Sequence, residues 1–425
     1  MSVEADTRTT ATSEQSGAEK TAPAASGGGP ELSVSGSPFA ESPYKDEPLT
    51  RRKIQINLDR NRAQDHTEKL DQAAGEFSWE ACRDQPWNPE SFALLWGTPI
   101  WDQASDEQRL RLNQLYWVAY YAQIISAEIA TIFFNQTSAA GLFGIEDFRS
   151  VCDMLDLESS QERAHIAAFK RVAEAAEQEL FGERIFTYPM RGPYAETMIC
   201  GHSGPFKRLW KSLQLRAFGL LSSGNAYIAA QYFLIRGLRT LNGKLVQHAL
   251  SEHIHGFETP EDAPVPSRIS FYHFQDESYH FNSSTIISHD LIRCLKPPTA
   301  FERMVTNMGV KGCQKDHRHF SVTLRGIFWH DPATFRKVER VLTSRLFGLD
   351  KREARELMRR TFTEESEGIH ASFELHRKAR ESYKAYVAEL EDISERNKAM
   401  AIMGEASIED SLARNRRAFA RYART

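Results

Sequence analysis

Apolar residues recur at the three- and four-residue spacing of α-helices along most of this chain, and the alternating pattern of β-strands is scarce. Ser105 and Gln108 form a capping-box pattern that predicts the start of a long helix ending near Gln136. Further helices are predicted over 145–180, 205–221, 226–241, 267–289, 299–308, 332–347, 350–362 and 365–396. The pattern therefore predicts an all-α fold, a helical bundle with additional C-terminal helices.

Turn-forming residues set the predicted boundaries. The second helix is expected to break near Leu157 and to stop at Gly182, and Asn242-Gly243 is expected to end the fourth helix. Residues 248–266 are predicted to form a loop, and residues 309–320 to separate two helices. The alternation over 319–329 is compatible with a short strand, but we expect it to lead into a helix.

Residues 1–48 are rich in Ser, Thr, Gly, Ala, Pro and Glu and have few large apolar side chains. Such a segment buries too little apolar surface to offset the entropy of ordering, so it is predicted to be a disordered tail. Residues 49–425 are predicted to form a single domain, with the bundle core over about 105–295 and the C-terminal helices over about 299–425.

The overall charge and the cysteines exclude several classes of protein. The net charge is −4, which provides no bulk positive field, so we expect no nucleic-acid partner. The five cysteines are scattered without a CxxC pair, which argues against a disulfide framework and against a thiolate zinc site. Since the first residues lack the pattern of a secretory signal, a cytoplasmic location is expected.

One apolar stretch, 115–134, has the length of a membrane span. It contains Glu128, Gln123, Ser126 and Thr131, and a charge in the middle of a bilayer is costly. We therefore predict a buried core helix and no membrane partner.

Several carboxylates and histidines lie within the apolar faces of predicted helices, where an unpaired charge is strongly disfavoured. Two of the helices carry a Glu and a His three residues apart, a spacing that presents both side chains on one face. The helix predicted over 267–289 also carries a histidine four residues before its Glu. Two ExxH pairs and a lone Glu on an earlier helix predict a di-iron carboxylate site. The predicted ligands are Glu128, Glu162, His165, His273, Glu277 and His280.

A site of this kind expects a fourth carboxylate on the helix before the second ExxH pair, but the mid-helix donor there is Gln231. An amide is a weak iron ligand, so Gln231 is a doubtful member of the site. Glu252 or His248 from the following loop, or Glu196, are alternative donors. With two Fe(II) ions, three carboxylates and three imidazoles, the site keeps one net positive charge.

The order Glu, ExxH, mid-helix donor and HxxxExxH resembles that of the di-iron arylamine N-oxygenases, the p-aminobenzoate N-oxygenase family. The segment YHFQDESYH at 272–280 is very similar to the signature of that family, including the extra histidine, His273, and Asp276 before the Glu. The resemblance spans about residues 105–295. In that family a Glu stands where this chain has Gln231.

The resemblance implies a ferritin-like bundle that binds two iron ions through the six residues named above. It also implies O2 as co-substrate, a reductase or other external electron donor, and oxidation of a small amine to a hydroxylamine, nitroso or nitro product in a biosynthetic pathway. Members of the family are often homodimers. Asp276 is predicted to orient a ligating histidine by accepting its distal N–H, with a surface charge as the alternative.

Other functions stay open at this point. One is a di-iron hydroxylase or desaturase, and another is a metal-binding bundle protein without oxygenase activity, whose site is altered at Gln231. Four aromatic residues either line a substrate pocket or pack the core: Tyr120, Tyr121, Phe233 and Tyr272. His248, His253 and His255 are expected in a loop and not in a zinc site, and His317 and His319 are expected at the surface.

Overall fold

The computed structural model describes residues 47–143, 148–187, 205–320, 324–405 and 407–424. The predicted all-α fold is confirmed, because these residues form helices and no β-strand. Of the predicted tail, residues 1–46 lie outside the described residues. The helices are α1 (Pro48–Ala63), α2 (Thr67–Glu76), α3 (Trp79–Cys82), α4 (Pro99–Gln103), α5 (Asp106–Phe143), α6 (Arg149–Phe181), α7 (Pro205–Gly224), α8 (Ala226–Glu252), α9 (Val265–Thr285), α10 (Ala300–Phe320), α11 (Leu324–His330), α12 (Phe335–Thr343), α13 (Lys351–Thr363), α14 (Glu367–Val387), α15 (Glu395–Lys398), α16 (Ala401–Gly404) and α17 (Ile408–Tyr422).

Four long helices, α5, α6, α8 and α9, form the central bundle. Helix α5 packs along α6 and α8, and α9 packs along α8 and α6. Helices α1 and α2 lie across α6 and α9 at the outside of this bundle. The C-terminal helices pack mainly among themselves, through the pairs α11 and α14, α12 and α13, and α13 and α17.

Helix α5 begins at the predicted capping box. The Ser105 amide donates to Gln108 Oε1 at 2.9 Å, and the Gln108 amide donates to Ser105 Oγ at 3.2 Å. Within the described residues, α5 is long and apolar enough to span a membrane by length and composition, but most of that apolar stretch is buried inside the protein. Such burial is typical of the core helix that the sequence predicted.

Two of the predicted breaks are wrong, and tertiary packing explains both. Helix α6 runs through Leu157, because the polar residues that follow face buried partners: Glu158 is paired with Arg236. Helix α8 runs through Asn242-Gly243, where the Asn242 side chain is buried. Packing thus overrides the weak helix propensity of these residues. The predicted stop of α6 is confirmed, since Gly182 adopts the left-handed conformation with φ 68°.

Residues 309–320 were predicted to separate two helices, but that prediction is wrong. They continue helix α10. Its glycines allow close packing: a Cβ atom at Gly309 would lie 2.5 Å from Cδ1 of Ile235 on α8. The prediction that His317 lies at the surface is also wrong. Its ring is buried 4.8 Å from that of His376, between α10 and α14. The side chain of His319 lies outside the described residues, and the stretch after 323 is helix α11.

Gly141 marks the closest approach of α5 to α7. A Cβ atom at this position would lie 2.0 Å from the carbonyl oxygen of Ser222, which cannot move as a side chain would. We expect Gly141→Ala to destabilise the protein by about 1–3 kcal/mol through overpacking. Thermal or urea unfolding measures the change. Gly75→Ala is the matched control, because a Cβ atom there meets nothing within 4 Å, and it should be neutral or slightly stabilising. Equal stability of the two variants would contradict this packing.

Candidate metal centre

Three helices of the bundle bring six carboxylates and imidazoles together in the interior. Helix α5 contributes one donor, α6 two and α9 three, as the helical spacing predicted. In one group the ligand atoms of Glu128, His165, His273 and Glu277 lie within 4.8 Å of one another. In the other, the same holds for Glu162, Glu277 and His280. Glu277 belongs to both groups, so the two groups adjoin through one carboxylate.

In the first group, Glu128 of α5 lies beside two histidines of the other helices. Glu128 Oε1 lies 3.2 Å from His273 Nε2 and 3.6 Å from His165 Nδ1. Both histidines are fully buried, and the Glu128 side chain is only 5% exposed. The His273 ring also packs edge-on against Phe169, with ring centres 5.0 Å apart, so aromatic packing holds this ring in place.

The second group centres on His280. Its Nδ1 atom lies 3.2 Å from Glu277 Oε1 and 3.4 Å from Glu162 Oε1. Glu162 Oε2 lies 3.3 Å from His165 Nδ1, so the carboxylate of Glu162 reaches between the two groups. Glu277, with a side-chain exposure of 12%, is the least buried of the six donors.

The donor atoms fit a metal better than they fit one another. Both carboxylate oxygens of Glu128 and both ring nitrogens of His273 are buried without a hydrogen bond, although they lie close together. An unpaired buried polar atom is costly, and the cost is relieved if these atoms coordinate a cation. Mixed carboxylate and imidazole donors suit iron and manganese as well as zinc.

The outer nitrogens of two donor histidines are held by neighbouring side chains. His165 Nε2 lies 3.2 Å from Asp276 Oδ2, and His280 Nε2 lies 2.9 Å from Gln161 Oε1. In both rings the outer nitrogen therefore donates its hydrogen, and Nδ1 faces the donor cluster. Asp276 lies where it was predicted to orient a ligating histidine, and that role stays a prediction.

Hydrogen bonds keep Asp276 ionised. Burial alone would raise the pKa of this carboxyl, but hydrogen bonds from His165 and His66 outweigh burial and lower its pKa to about 2. A carboxylate behind a ligating imidazole increases the electron donation of the ring to the metal. The ionised Asp276 thus fits a supporting role for His165.

A cavity of about 90 Å³ adjoins the donors between α5 and α8. Its wall on α5 is largely apolar, with Ile124, Ala127, Ala130 and Phe134 beside the more polar Thr131 and Glu128. On α8 the described lining residues include no carboxylate and no imidazole. They are Tyr232, Arg236, Arg239, Thr240, Gly243 and Gln247.

Gln231, the doubtful fourth ligand, is not among the residues that line this cavity, and its role as a ligand stays a prediction. At 100° per residue, Gln231 lies about 140° around α8 from Arg236, which faces the cavity. Its helix face is shared by Leu238, which packs in the separate apolar cluster with Val310 of α10. The Gln231 side chain itself is buried.

Arg236 occupies the inner face of α8 instead. Its guanidinium pairs with the buried Glu158 at 2.6 Å and also donates to Asn135, to two serines of α9 and to the carbonyl oxygen of His280. These bonds use all its N–H groups. This network, which the sequence analysis missed, ties α8 to α6 and α9 beside His280.

The two alternative donors on α8 are not part of either donor group. His248 and Glu252 have side-chain exposures of 60% and 54% and lie 3.9 Å from each other. Glu196 lies outside the described residues. Among the described residues, the two groups in the bundle hold all the clustered metal donors, and the histidines of 248–255 form no such group.

None of the four aromatic residues named as candidates for a pocket lines this cavity. The aromatic residues that line the cavity are Phe134 and Tyr232. Tyr121 packs against Phe169 and His273 in the core, and Tyr272 stacks on His66. Tyr120 and Phe233 are buried in apolar clusters, so all four predicted residues serve packing.

Metal uptake should release protons. Burial lowers the pKa of His165 and His280, but neighbouring carboxylates outweigh it and raise both pKa values well above the usual range. Without metal, these carboxylates favour the doubly protonated imidazolium form of both rings, and a metal ion must displace the proton from Nδ1. We expect affinity for a divalent metal to fall as the pH decreases from about 8 to 6. Titration in a weak buffer with a pH indicator measures the release, and uptake without protons would contradict the geometry.

The comparisons with known proteins give a family for the chain. Residues 49–423 match the family model described as "Acyl halogenase CylC-like". No curated protein and no solved structure matches significantly. The N-oxygenase resemblance is thus not confirmed as the specific family. Because the match covers most of the sequence, the chain belongs to the CylC-like acyl halogenase family.

Proposed function

We propose that the protein is a non-haem di-iron enzyme that uses O2 and a halide ion to halogenate an acyl substrate in a biosynthetic pathway. The observation that carries the proposal is the pair of buried donor groups sharing Glu277 beside a cavity. The family description supports halogenation and an acyl substrate. A pair of Fe(II) ions held by these residues would supply the electrons that activate O2.

The overall reaction balances with an external electron donor. A substrate C–H bond, one halide ion, O2, two electrons and three protons give the carbon–halogen bond and two water molecules. The two electrons must come from a reductase or another donor, since the protein residues of the site supply none. This electron donor is part of the proposal, as are a cytoplasmic location and a homodimeric assembly.

The side of the site that faces α8 has no protein ligand among the described residues, and this supports halide binding. No carboxylate or imidazole of the described part of α8 faces the cavity, so that side leaves coordination positions for a ligand from solution. The second donor group offers only Glu162, Glu277 and His280. Two divalent ions and three carboxylates leave one net positive charge, which a single halide ion neutralises.

The wall of the cavity suits an apolar reacting group. The α5 side presents Ile124, Ala127, Ala130 and Phe134 next to the donors. These side chains would hold the methylene groups of an acyl chain and exclude water, while the polar α8 wall would face the halide.

A second candidate is N-oxygenation of a small amine, as the resemblance implied. It is favoured by the place of His273, the third histidine, within the first donor group. This reaction takes an amine, O2, two electrons and two protons to a hydroxylamine and water. A hydroxylase, a desaturase and a metal-binding module without oxygenase activity stay as further alternatives.

The two candidates differ in their need for a halide. Protein loaded anaerobically with Fe(II) is given a reductant and O2, with acyl substrates as free acids and as thioesters, or with aryl and alkyl amines. We expect a halogenated acyl product that appears only with chloride or bromide, detected by mass spectrometry. A hydroxylamine, nitroso or nitro product that forms without halide would favour the second candidate.

The variant Glu277→Ala tests whether turnover depends on the proposed metal ligands. Because Glu277 belongs to both donor groups, its removal should abolish turnover and lower the metal content. Glu252→Ala is the control, since this carboxylate is exposed and outside the site, and it should keep full activity. Activity and metal content that are unchanged in Glu277→Ala would contradict the proposed ligand set.

A further inference from the structure

We propose that the corner between α1 and α2, residues Asn61 to His66, is a positioning element of the metal centre. It acts through two separate relays, each of which sets the orientation of one ligating histidine. The inference rests on the metal centre of the proposed function, but it does not depend on which substrate is oxidised.

The first relay is made of amides. Gln161 Oε1 lies 2.9 Å from His280 Nε2, and Gln161 Nε2 donates to Asn61 Oδ1 at 2.8 Å. Asn61 Nδ2 in turn donates to Gln161 Oε1 at 3.1 Å. The two amides thus hold each other, and Gln161 Nε2 also donates to the carboxylate oxygen Oδ1 of Asp65 at 3.3 Å, which leaves Oε1 as the acceptor end of the Gln161 amide. His280 must then donate from Nε2, which leaves Nδ1 for the metal.

The second relay contains a carboxylate. Asp276 Oδ2 lies 3.2 Å from His165 Nε2, and Asp276 Oδ1 accepts from the ring of His66 at 2.8 Å and from its backbone N–H at 3.3 Å. The Asp276 side chain is fully buried, so these contacts set its orientation. The His66 ring is itself held by stacking on Tyr272, with ring centres 5.7 Å apart.

The relays serve different metal positions. His165 belongs to the group with Glu128 and His273, whereas His280 belongs to the group with Glu162. A neutral amide and a carboxylate are unequal acceptors, because only the carboxylate strengthens the donation of its histidine. The corner therefore supports two inequivalent positions, and damage to one relay should weaken one position more than the other.

Cobalt(II) is a suitable probe, since its visible absorption reports the ligand geometry without turnover. The full chain, with iron removed, is titrated with Co(II) in the wild type, His66→Leu, His66→Asn and Asn61→Ala forms. We expect two Co(II) ions in the wild type. In His66→Leu and in Asn61→Ala, one of the two should bind about tenfold more weakly, with a changed spectrum.

Conservative and control variants separate positioning from folding. His66→Asn keeps an N–H donor close to the position of Nδ1 and should restore the affinity and the spectrum. Asn57→Ala is the matched control, because Asn57 is also buried on α1 and contacts Met154 and the carbonyl oxygen of Tyr279, but belongs to neither relay. It should lower the melting temperature of the metal-free protein without changing the Co(II) spectrum.

Three results would overturn the inference. Unchanged binding and spectra in both relay variants would show that the corner does not position the histidines. An equal weakening of both Co(II) ions in the relay variants and in Asn57→Ala would show a general loss of stability. A wild type that binds no Co(II) would overturn the metal centre as well, whereas a failure to halogenate would leave the Co(II) result intact.

Discussion

Three carboxylates and three imidazoles lie together in the interior of a helical bundle, where water cannot screen them. The desolvation of such groups is strongly unfavourable unless they are paired or bind a cation. The oxygens of Glu128 and the nitrogens of His273 lie close together but are buried without a hydrogen bond, so the protein groups do not fully satisfy one another. Much of the bundle around them serves this constraint: long unbroken helices carry the donors, aromatic rings hold His273, and polar relays fix the outer nitrogens of His165 and His280.

The site is asymmetric, and α8 is the reason. This helix contributes the Arg236 guanidinium, which is fully engaged with Glu158, Asn135, serines of α9 and the backbone of His280. The helix on which a further metal-binding carboxylate was expected thus presents to the cavity a cation that neutralises Glu158. The donor set is thereby closed on α5, α6 and α9 and open towards α8, where the cavity lies. This open side would leave room for a halide ion, whereas a centre with protein ligands on every side would not.

Local patterns in the sequence were enough to predict which carboxylates and imidazoles lie together, because the i, i+3, i+4 and i+7 spacing fixes which side chains share one helix face. They did not decide the role of Gln231, which is not among the residues that line the cavity. The breaks predicted near Leu157 and at Asn242-Gly243 failed because burial compensates weak propensity. The partners of Asp276 and Gln161 could not be predicted, because His66 and Asn61 lie 210 and 100 positions away in the chain.

The most direct test is the number of iron ions per chain after anaerobic loading with Fe(II) and desalting, measured by plasma emission. Two donor groups that share Glu277 predict about two iron ions per chain. A chain that retains no iron, while it is folded by circular dichroism, would contradict the account, because the buried donors would then have another partner.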